Sequence, residues 1–581
     1  MQTCNDFLLQ VFLFDSGKYM NKFKLISLAV LVVIGGCSTT SDKNARLSNI
    51  TIFSINDFHG NLQSDQPVPY LASKSDNANP GKTVTVPAGG YAYLAAKLKE
   101  RRAAVPSSIL VGSGDLMGAS PMGSALLKDE PVIEALNQLD LTVTAVGNHE
   151  FDSGTADLMR KIKGECASSG CAYADFHGAK YAYLGANVYE QGSNTPWLTP
   201  YVIRQVGDVK VGFIGAVTSD VPNLVAGDAI KRLRFDDEAA SINRYVPELQ
   251  KQGVNAIVAL IHEGASYKGA ENDPSYRCEG LQGPIIDITK KLDKAISLVV
   301  SGHTHQGYTC KIDGRLLVQG RSYGAFLTES TLTIDRNTNA VVNAVAVNHL
   351  IDQQQIKADA TAQVLVDKVA TQTATMRQRP VITIDKPMLR TSEAGRFDSA
   401  LGNMIADAQL HYAQHHGGAD IALMNAGGIR SDLPSGSQKA PVNVTFGDLY
   451  AVQPFGNNLV RITLSGAQLL QVLQQQWAGG RPAEEPKKLF VSHGLSYVWN
   501  PAAATEQRIT DVKIKGKALD PTQQYKVVVN NFLADGGDGF SVLKQGTDRQ
   551  LIGRDLDAFE SYIRERGDRI TDVQLDRVQR R

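Results

Sequence analysis

Five short apolar runs in this chain each stop at a polar segment rich in aspartate, histidine or asparagine, and this pattern constrains the fold most. Ile50 to Ile55 runs into Asn56-Asp57-Phe58-His59-Gly60, and Ser108 to Val111 into Gly112-Ser113-Gly114-Asp115. Leu141 to Val146 runs into Gly147-Asn148-His149-Glu150-Phe151-Asp152. The run ending at Ile261 delivers His262-Glu263, and the run ending at Val300 delivers Ser301-Gly302-His303-Thr304-His305. Such β-rich, largely apolar runs read as strands buried on both faces. Helical stretches such as Ala92 to Arg102 alternate with them, which predicts a layered α/β domain. Val211 to Ala216 adds a strand, and Leu327 to Ile334 with Ala340 to Val347 reads as a closing hairpin. Open α/β sheets bind ligands at the carboxyl ends of their strands. The five ends are therefore expected to gather at one edge.

The donors gathered there suit metal ions. Imidazole and carboxylate, with no thiolate, hold divalent metals such as Mn, Zn or Fe. A carboxylate between two ions can bridge them, and a pair ~3.5–4 Å apart polarises a phosphoryl oxygen and acidifies a bound water. A lone histidine at a strand end is ordinarily a packed or solvated side chain; here 5 of the 11 histidines fall in these segments. Glycines beside the donors let backbone approach closely.

At 581 residues the chain exceeds one ordinary domain. Residues 351 to about 378 are rich in Gln, Ala, Lys and Asp and lack glycine and proline, which predicts a helix linking two domains. A second domain starts near Pro380, with strands at Asp420 to Met424, Val442 to Val444, Leu459 to Leu464 and Tyr525 to Val529. Lys+Arg and Asp+Glu are both 59, so the overall field gives no reason to expect polymeric nucleic acid.

The N-terminus reads as an export address. Lys22 and Lys24 precede the apolar run Leu25 to Ile34, followed by Gly35, Gly36 and Cys37. Ten residues are too few to span a bilayer of roughly 30 Å. Ile-Gly-Gly-Cys resembles a bacterial lipobox, which implies cleavage and acylation of Cys37. Met20 reads as the natural start, leaving Cys4 without a role. Residues 1–36 are then a signal segment and 37–48 a lipidated tether. Ser38 favours outer-membrane sorting in a Gram-negative host, giving an exported periplasmic or cell-surface lipoprotein. Cys166, Cys171, Cys278 and Cys310 remain, and an even count in an exported chain suggests two disulfides. Three pairings are open; one closes a small loop between Cys166 and Cys171 and leaves Cys278 with Cys310.

The ordered set D-x-H, G-D, G-N-H-E, H, G-H-x-H resembles the calcineurin-like metallophosphoesterases. More narrowly, NDFHG at 56–60, GNHEFD at 147–152 and GHTH at 302–305 resemble the bacterial 5′-nucleotidase and UDP-sugar hydrolase family. That resemblance implies an α/β chain: a four-layer metallophosphoesterase β-sandwich flanked by helices (49–350), a linker helix (351–379) and a second α/β substrate-binding domain (380–575). It implies two divalent ions, of Mn, Zn, Fe, Co or Mg. Asp57, His59 and His305 would hold one, Asn148, His262 and His303 the other, and Asp115 would bridge. Many relatives have Gln where His305 stands. His149 would stabilise the phosphoryl transition state, with Asp152 orienting it and metal-bound hydroxide as nucleophile.

Substrate residues follow from the same resemblance. Asn425-Ala426-Gly427-Gly428-Ile429-Arg430, Gln453-Pro454-Phe455-Gly456-Asn457 and the segment Asn531 to Gly539 match family loops, with Ala426 in place of a usual glycine. Phe455 and Phe532 would stack on a base, Asp538 would hold ribose hydroxyls and Arg430 would reach the substrate. Asn425 and Asn457 would be polar contacts. The family places arginines just before its N-M-G-N segment; here the register is shifted by about one residue, leaving Arg396, and further off Arg390, as candidates. His411, His415 and His416 read as solvated.

The implied activity is hydrolysis of nucleoside 5′-phosphates. UDP-sugar or 2′,3′-cyclic nucleotide hydrolysis would use the same metals. A thiosulfate-ester hydrolase shares the architecture, but Phe455 and Phe532 argue against it. A surface-binding lipoprotein is the reading from another class, opposed by the complete ligand set.

Overall fold

The computed structural model describes residues 46–63, 67–71, 82–225, 227–392, 396–434, 441–567 and 573–581. The signal segment, Met20, Cys4, Cys37 and nearly all of the tether lie outside these residues. Among the described residues no helix is long and apolar enough to cross a membrane.

Twelve strands build the two large sheets of the first part. They are β1 (Leu47–Ile55), β2 (Ser108–Ser113), β3 (Leu141–Ala145), β4 (Ala182–Leu184), β5 (Tyr201–Val206) and β6 (Val209–Val217). Then follow β7 (Ala256–His262), β8 (Ile296–Ser301), β9 (Gly307–Ile312), β10 (Arg315–Gly320), β11 (Phe326–Asp335) and β12 (Ala340–Leu350). One six-stranded sheet has the order β12-β11-β1-β2-β3-β4 and the other β9-β10-β8-β7-β6-β5. Strands β1, β2 and β3 are parallel neighbours, as are β6, β7 and β8. Within each sheet, therefore, the ligand-bearing ends point the same way.

Alternation along each strand decides the layers. Ile50 and Ile52 of β1 face Phe213, Val258 and Leu298 in a core between the two sheets. Phe53 and Ile55 face outward onto the helices α1 (Tyr91–Ala104) and α2 (Glu130–Gln138). The far side of the second sheet is covered by α3 (Glu238–Asn243) and α4 (Pro284–Lys291). Helix, sheet, sheet and helix make four layers. Both faces of each central strand are buried, which is why the runs are continuously apolar.

The connecting helix α5 spans Ala360–Arg377, not the whole of 351–379. Asp359 stops it at its start, its carboxylate accepting from the amides of Thr361 and Ala362 at 3.0 Å each. Residues before it turn about Asp352, whose carboxylate accepts from the Gln354 amide. Ala362, Leu365, Val366, Val369 and Thr373 form its buried stripe, at helical spacing.

The second part centres on a five-stranded sheet made of β13 (Ile421–Asn425), β14 (Asn458–Ser465), β15 (Leu489–Val491), β16 (Gln524–Asn530) and β17 (Thr547–Arg554), in the order β15-β13-β16-β14-β17. Helices α6 (Ala400–Gln414) and α7 (Asp555–Arg566) cover one face. The other face buries Leu469, Leu473 and Trp477. The expected strand at 442–444 instead pairs with Pro380–Ile384 in a separate two-stranded ribbon. Cys166 is bonded to Cys171 and Cys278 to Cys310.

Candidate active site

The loops that leave the strand ends turn sharply. Asp57, His59, Asp115, His303 and His305 all have positive φ, between 47° and 71°. Five non-glycine residues in that sparsely allowed region are strained together, a condition that persists where function demands it. The glycines are equally constrained: a Cβ on Gly147 would fall 2.2 Å from Asp115 Oδ1, so only glycine lets this loop pass.

These turns bring the predicted ligands into two groups. Asp57, His59 and His305 offer donor atoms within 4.8 Å of one another, and so do Asp115, His262 and His303. Asp115 Oδ2 stands 3.0 Å from His262 Nε2 and 3.8 Å from His59 Nε2, between the groups. Asn148 Oδ1 is 3.1 Å from His262 Nε2.

The donor set fits divalent cations. His59 Nδ1 donates to the Gly118 carbonyl at 2.9 Å and His262 Nδ1 to the Ser113 carbonyl at 2.7 Å. In the neutral ring each Nε2 then carries a lone pair. His59 Nε2 lies 3.0 Å from His305 Nε2, and His262 Nε2 faces the Asn148 and Asp115 oxygens. Imidazole nitrogens and carboxylate and amide oxygens gathered this closely suit a cation between them. Burial holds the imidazoles of His59 and His303 neutral, with a pKa of about 3 for each, and drives that of His305 well below its ordinary value. Burial opposes charge on His262 as well, but the Asp115, Asp57 and Glu150 carboxylates overcome it and lift its pKa to about 10, so this corner demands positive charge.

His149 stands beside the cluster. Its amide donates to Asp115 Oδ1 at 2.9 Å, and its Nδ1 lies 2.8 Å from Asp152 Oδ2. Burial disfavours its charged form, but the Asp152 and Asp115 carboxylates prevail and raise its pKa. A cavity of about 360 Å³ opens here. Asp115, Asn148, His149, Asp152, His303 and His305 line it, together with Asn425, Arg430, Phe455, Asn457, Phe532 and Asp538 from the second part.

Residues 50–307 match the calcineurin-like phosphoesterase family and residues 374–545 the C-terminal domain of 5′-nucleotidases. Cell wall protein Lmo0130 of Listeria monocytogenes is 33% identical to this chain, over 94% of the chain and 72% of that protein. The chain belongs to the 5′-nucleotidase family. This 5′-nucleotidase-family chain is also 32% identical to Endonuclease YhcR of Bacillus subtilis, over 84% of its own length but 37% of that longer protein. The crystal structure of the 5′-nucleotidase precursor from Thermus thermophilus superposes with a TM-score of 0.71 at 26% identity, covering 92% of this chain and 99% of that one. As a 5′-nucleotidase-family member, the protein is a metal-dependent phosphoester hydrolase.

Not every candidate of this family member reaches the cavity. Arg396 does not line it; its Nη1 donates to the Leu575 carbonyl at 3.0 Å instead. Arg390 also stands off, donating to the Arg430 carbonyl at 2.7 Å, so it supports the loop that carries Arg430. His411 is paired with Glu565 at 2.7 Å rather than simply solvated, and His416 is bonded to the Tyr412 carbonyl and stacked on that ring.

Three residues of the nucleotidase-family site are not among the sequence candidates. Glu150, buried, accepts from the amides of Gly147, Asp115 and Leu116 at 2.7, 2.9 and 2.8 Å and so ties two ligand loops together. Its place in the G-N-H-E segment is a signal. Asn530 holds Asn425 Oδ1 at 3.0 Å while Asn425 donates to Asp538 at 2.8 Å, and its position at the end of β16 could have marked it. Tyr323 packs edge-on against His305 and carries no signal in its neighbourhood.

Proposed function

We propose that the protein is an exported two-metal 5′-nucleotidase that converts nucleoside 5′-phosphates to nucleoside and phosphate. The observation that best supports this is the shared cavity, where the donor cluster faces two phenylalanines, an arginine and an aspartate from glycine-rich loops. In this reading Asp57, His59 and His305 hold one ion, Asn148, His262 and His303 the other, and Asp115 serves both. Divalent ions bound there supply phosphoryl polarisation and water activation. Residues 49–350 form the metal-binding part and 380–575 the nucleotide-binding part.

The chain's own groups do the rest. Phe455 and Phe532 stack on the base, which tolerates several bases because every base has a π-face. Asp538, held by Asn425 and approached by Lys487 at 3.8 Å, takes the ribose hydroxyls. Arg430 offers its guanidinium to the phosphate. His149, its Nδ1 fixed by Asp152, presents Nε2–H to the charge that develops on the phosphoryl or leaving oxygen. Export and anchoring through Cys37 rest on the signal-like segment; metabolic labelling with a fatty acid, lost in Cys37→Ser, tests the anchor.

The deciding experiment is phosphate release from AMP, UDP-glucose and 2′,3′-cyclic AMP by metal-reconstituted protein. Preferred turnover of AMP supports the reading. Preference for either of the others keeps the metal site and changes the substrate. No metal-dependent turnover of any of them overturns it.

A further inference from the structure

A second space opens beside the donor cluster, away from the nucleoside cavity. It is a cleft of about 670 Å³ that meets the cavity at His305 and Arg430, which line both. Its charge is one-sided. Arg321, Arg377, Arg390 and Arg430 line it, and among the described lining residues the only carboxylate is Asp448. Asp448 is engaged as a helix cap, accepting from the Thr445 hydroxyl at 2.7 Å. Glu271 balances Arg321. The guanidiniums of Arg377 and Arg390 bond to neutral groups, the Gln63 side chain at 2.6 Å and the Arg430 carbonyl at 2.7 Å, while the Arg390 backbone amide holds the Asp432 carboxylate at 2.8 Å. Among the described residues no carboxylate is bonded to the guanidinium of Arg377, Arg390 or Arg430, so positive charge gathers in this cleft although the whole chain is neutral. At the junction Tyr323 sets an aromatic ring 5.4 Å from that of His305. Basic walls with an aromatic platform fit a single nucleic-acid strand.

Resting on the nucleotidase reading, we propose that this cleft takes the upstream arm of a short single-stranded oligonucleotide whose 3′-terminal nucleoside occupies the nucleoside cavity. The last internucleotide phosphate then lies at the donor cluster with the terminal O5′ as leaving group, as in a 5′-monophosphate. The oxygen of water bonds to phosphorus, the P–O5′ bond breaks and O5′ takes a proton. The products are a free nucleoside and a strand one residue shorter that ends in a 3′-phosphate. Water is the sole co-reactant. A monophosphate leaves the cleft unused; a strand sets further phosphates along Arg390 and Arg377.

The test uses the metal-loaded protein with AMP and, separately, a 5′-fluorescein-labelled deoxytetranucleotide. The expected result is a labelled trinucleotide bearing a 3′-phosphate, with release of nucleoside. Arg377→Glu is expected to raise the tetranucleotide KM about tenfold or more and leave AMP kinetics within about twofold, with Arg377→Lys restoring the strand substrate. Unchanged AMP kinetics also show that the variant is folded. Turnover of AMP with the tetranucleotide intact overturns the proposal and leaves the nucleotidase reading standing. Strand cleavage that ignores Arg377→Glu, or that releases a nucleoside 5′-phosphate, overturns it too. Loss of turnover on both substrates overturns the proposal together with the reading beneath it.

Discussion

Phe455 stacks on His149, with ring centroids 5.7 Å apart and planes 20° from parallel. One ring comes from the nucleotidase C-terminal region and the other from the phosphoesterase region. The stack ties the residue proposed to hold the base to the residue proposed to act at phosphorus. A substitution at Phe455 is therefore felt at both ends of the substrate.

That coupling separates the two phenylalanines. Phe455→Ala is expected to raise the KM for AMP by about 5–100-fold, the range of a lost base–aromatic stack, and to lower kcat as well. Phe532→Ala is expected to raise KM with kcat nearly unchanged, since its ring rests on Gly537 rather than on His149. Steady-state kinetics on AMP check the split; equal kcat losses in both variants contradict it.

His149→Ala is expected to lower kcat by about 10²–10³-fold with little change in KM, as for a lost transition-state donor. Asp152→Asn keeps the ring but loses the carboxylate that fixes Nδ1 2.8 Å away, so a smaller loss is expected. Wild-type kcat in His149→Ala would remove this residue from the mechanism.

Chelation is expected to abolish turnover and to lower the melting temperature, with both restored by added divalent ion. A cation held by ligand atoms as close as His59 Nε2 and His305 Nε2, 3.0 Å apart, binds the folded state and stabilises it by mass action. Thermal melts with and without chelator measure it. A melting temperature indifferent to both treatments argues against ions at this cluster.

A pH effect is expected far from the site. Burial acts to raise the Asp407 carboxyl, but hydrogen bonds from His493 and Arg577 outweigh it and hold the pKa below the ordinary value. Arg577 reaches Asp407 at 2.7 and 2.8 Å and clamps the C-terminal segment onto α6. A depressed carboxyl contributes stability that is complete above its unfolded value, about 3.9, and is lost as pH falls through the folded one. Asp407→Asn is expected to cost about 3–5 kcal/mol near neutral pH, because it strands a buried guanidinium, and to flatten the acid limb of stability. Denaturant titrations between pH 3 and 7 check both.

Much is written locally in the chain. Strand runs such as Ile50 to Ile55 and donors such as Asp57 and His59 lie next to each other in sequence, and parallel pairing within each of the two sheets points the donor-bearing ends the same way. The pattern of donors at five strand ends is therefore legible before any tertiary contact is known. The hairpin of β9 and β10 carries a local signal too, the tight-turn dipeptide Asp313-Gly314 with φ of 48° and 80°, although the strands expected from sequence do not include it. The start of α5 is hidden in composition, since one capping carboxylate, Asp359, outweighs the helix-favouring residues before it.

By itself, then, the sequence determined the donor-bearing strands, the candidate donors at their ends and the glycine-rich loops of the second part, because each depends on neighbours a few residues away. Only the tertiary structure decided that Arg396 turns to Leu575 while Arg390 props Arg430, and that Cys278 is joined to Cys310. It alone decided that Phe455 meets His149 across the cavity. Each of these is a contact between segments far apart in the chain, fixed by how packed layers set backbone direction, and no local period encodes that direction.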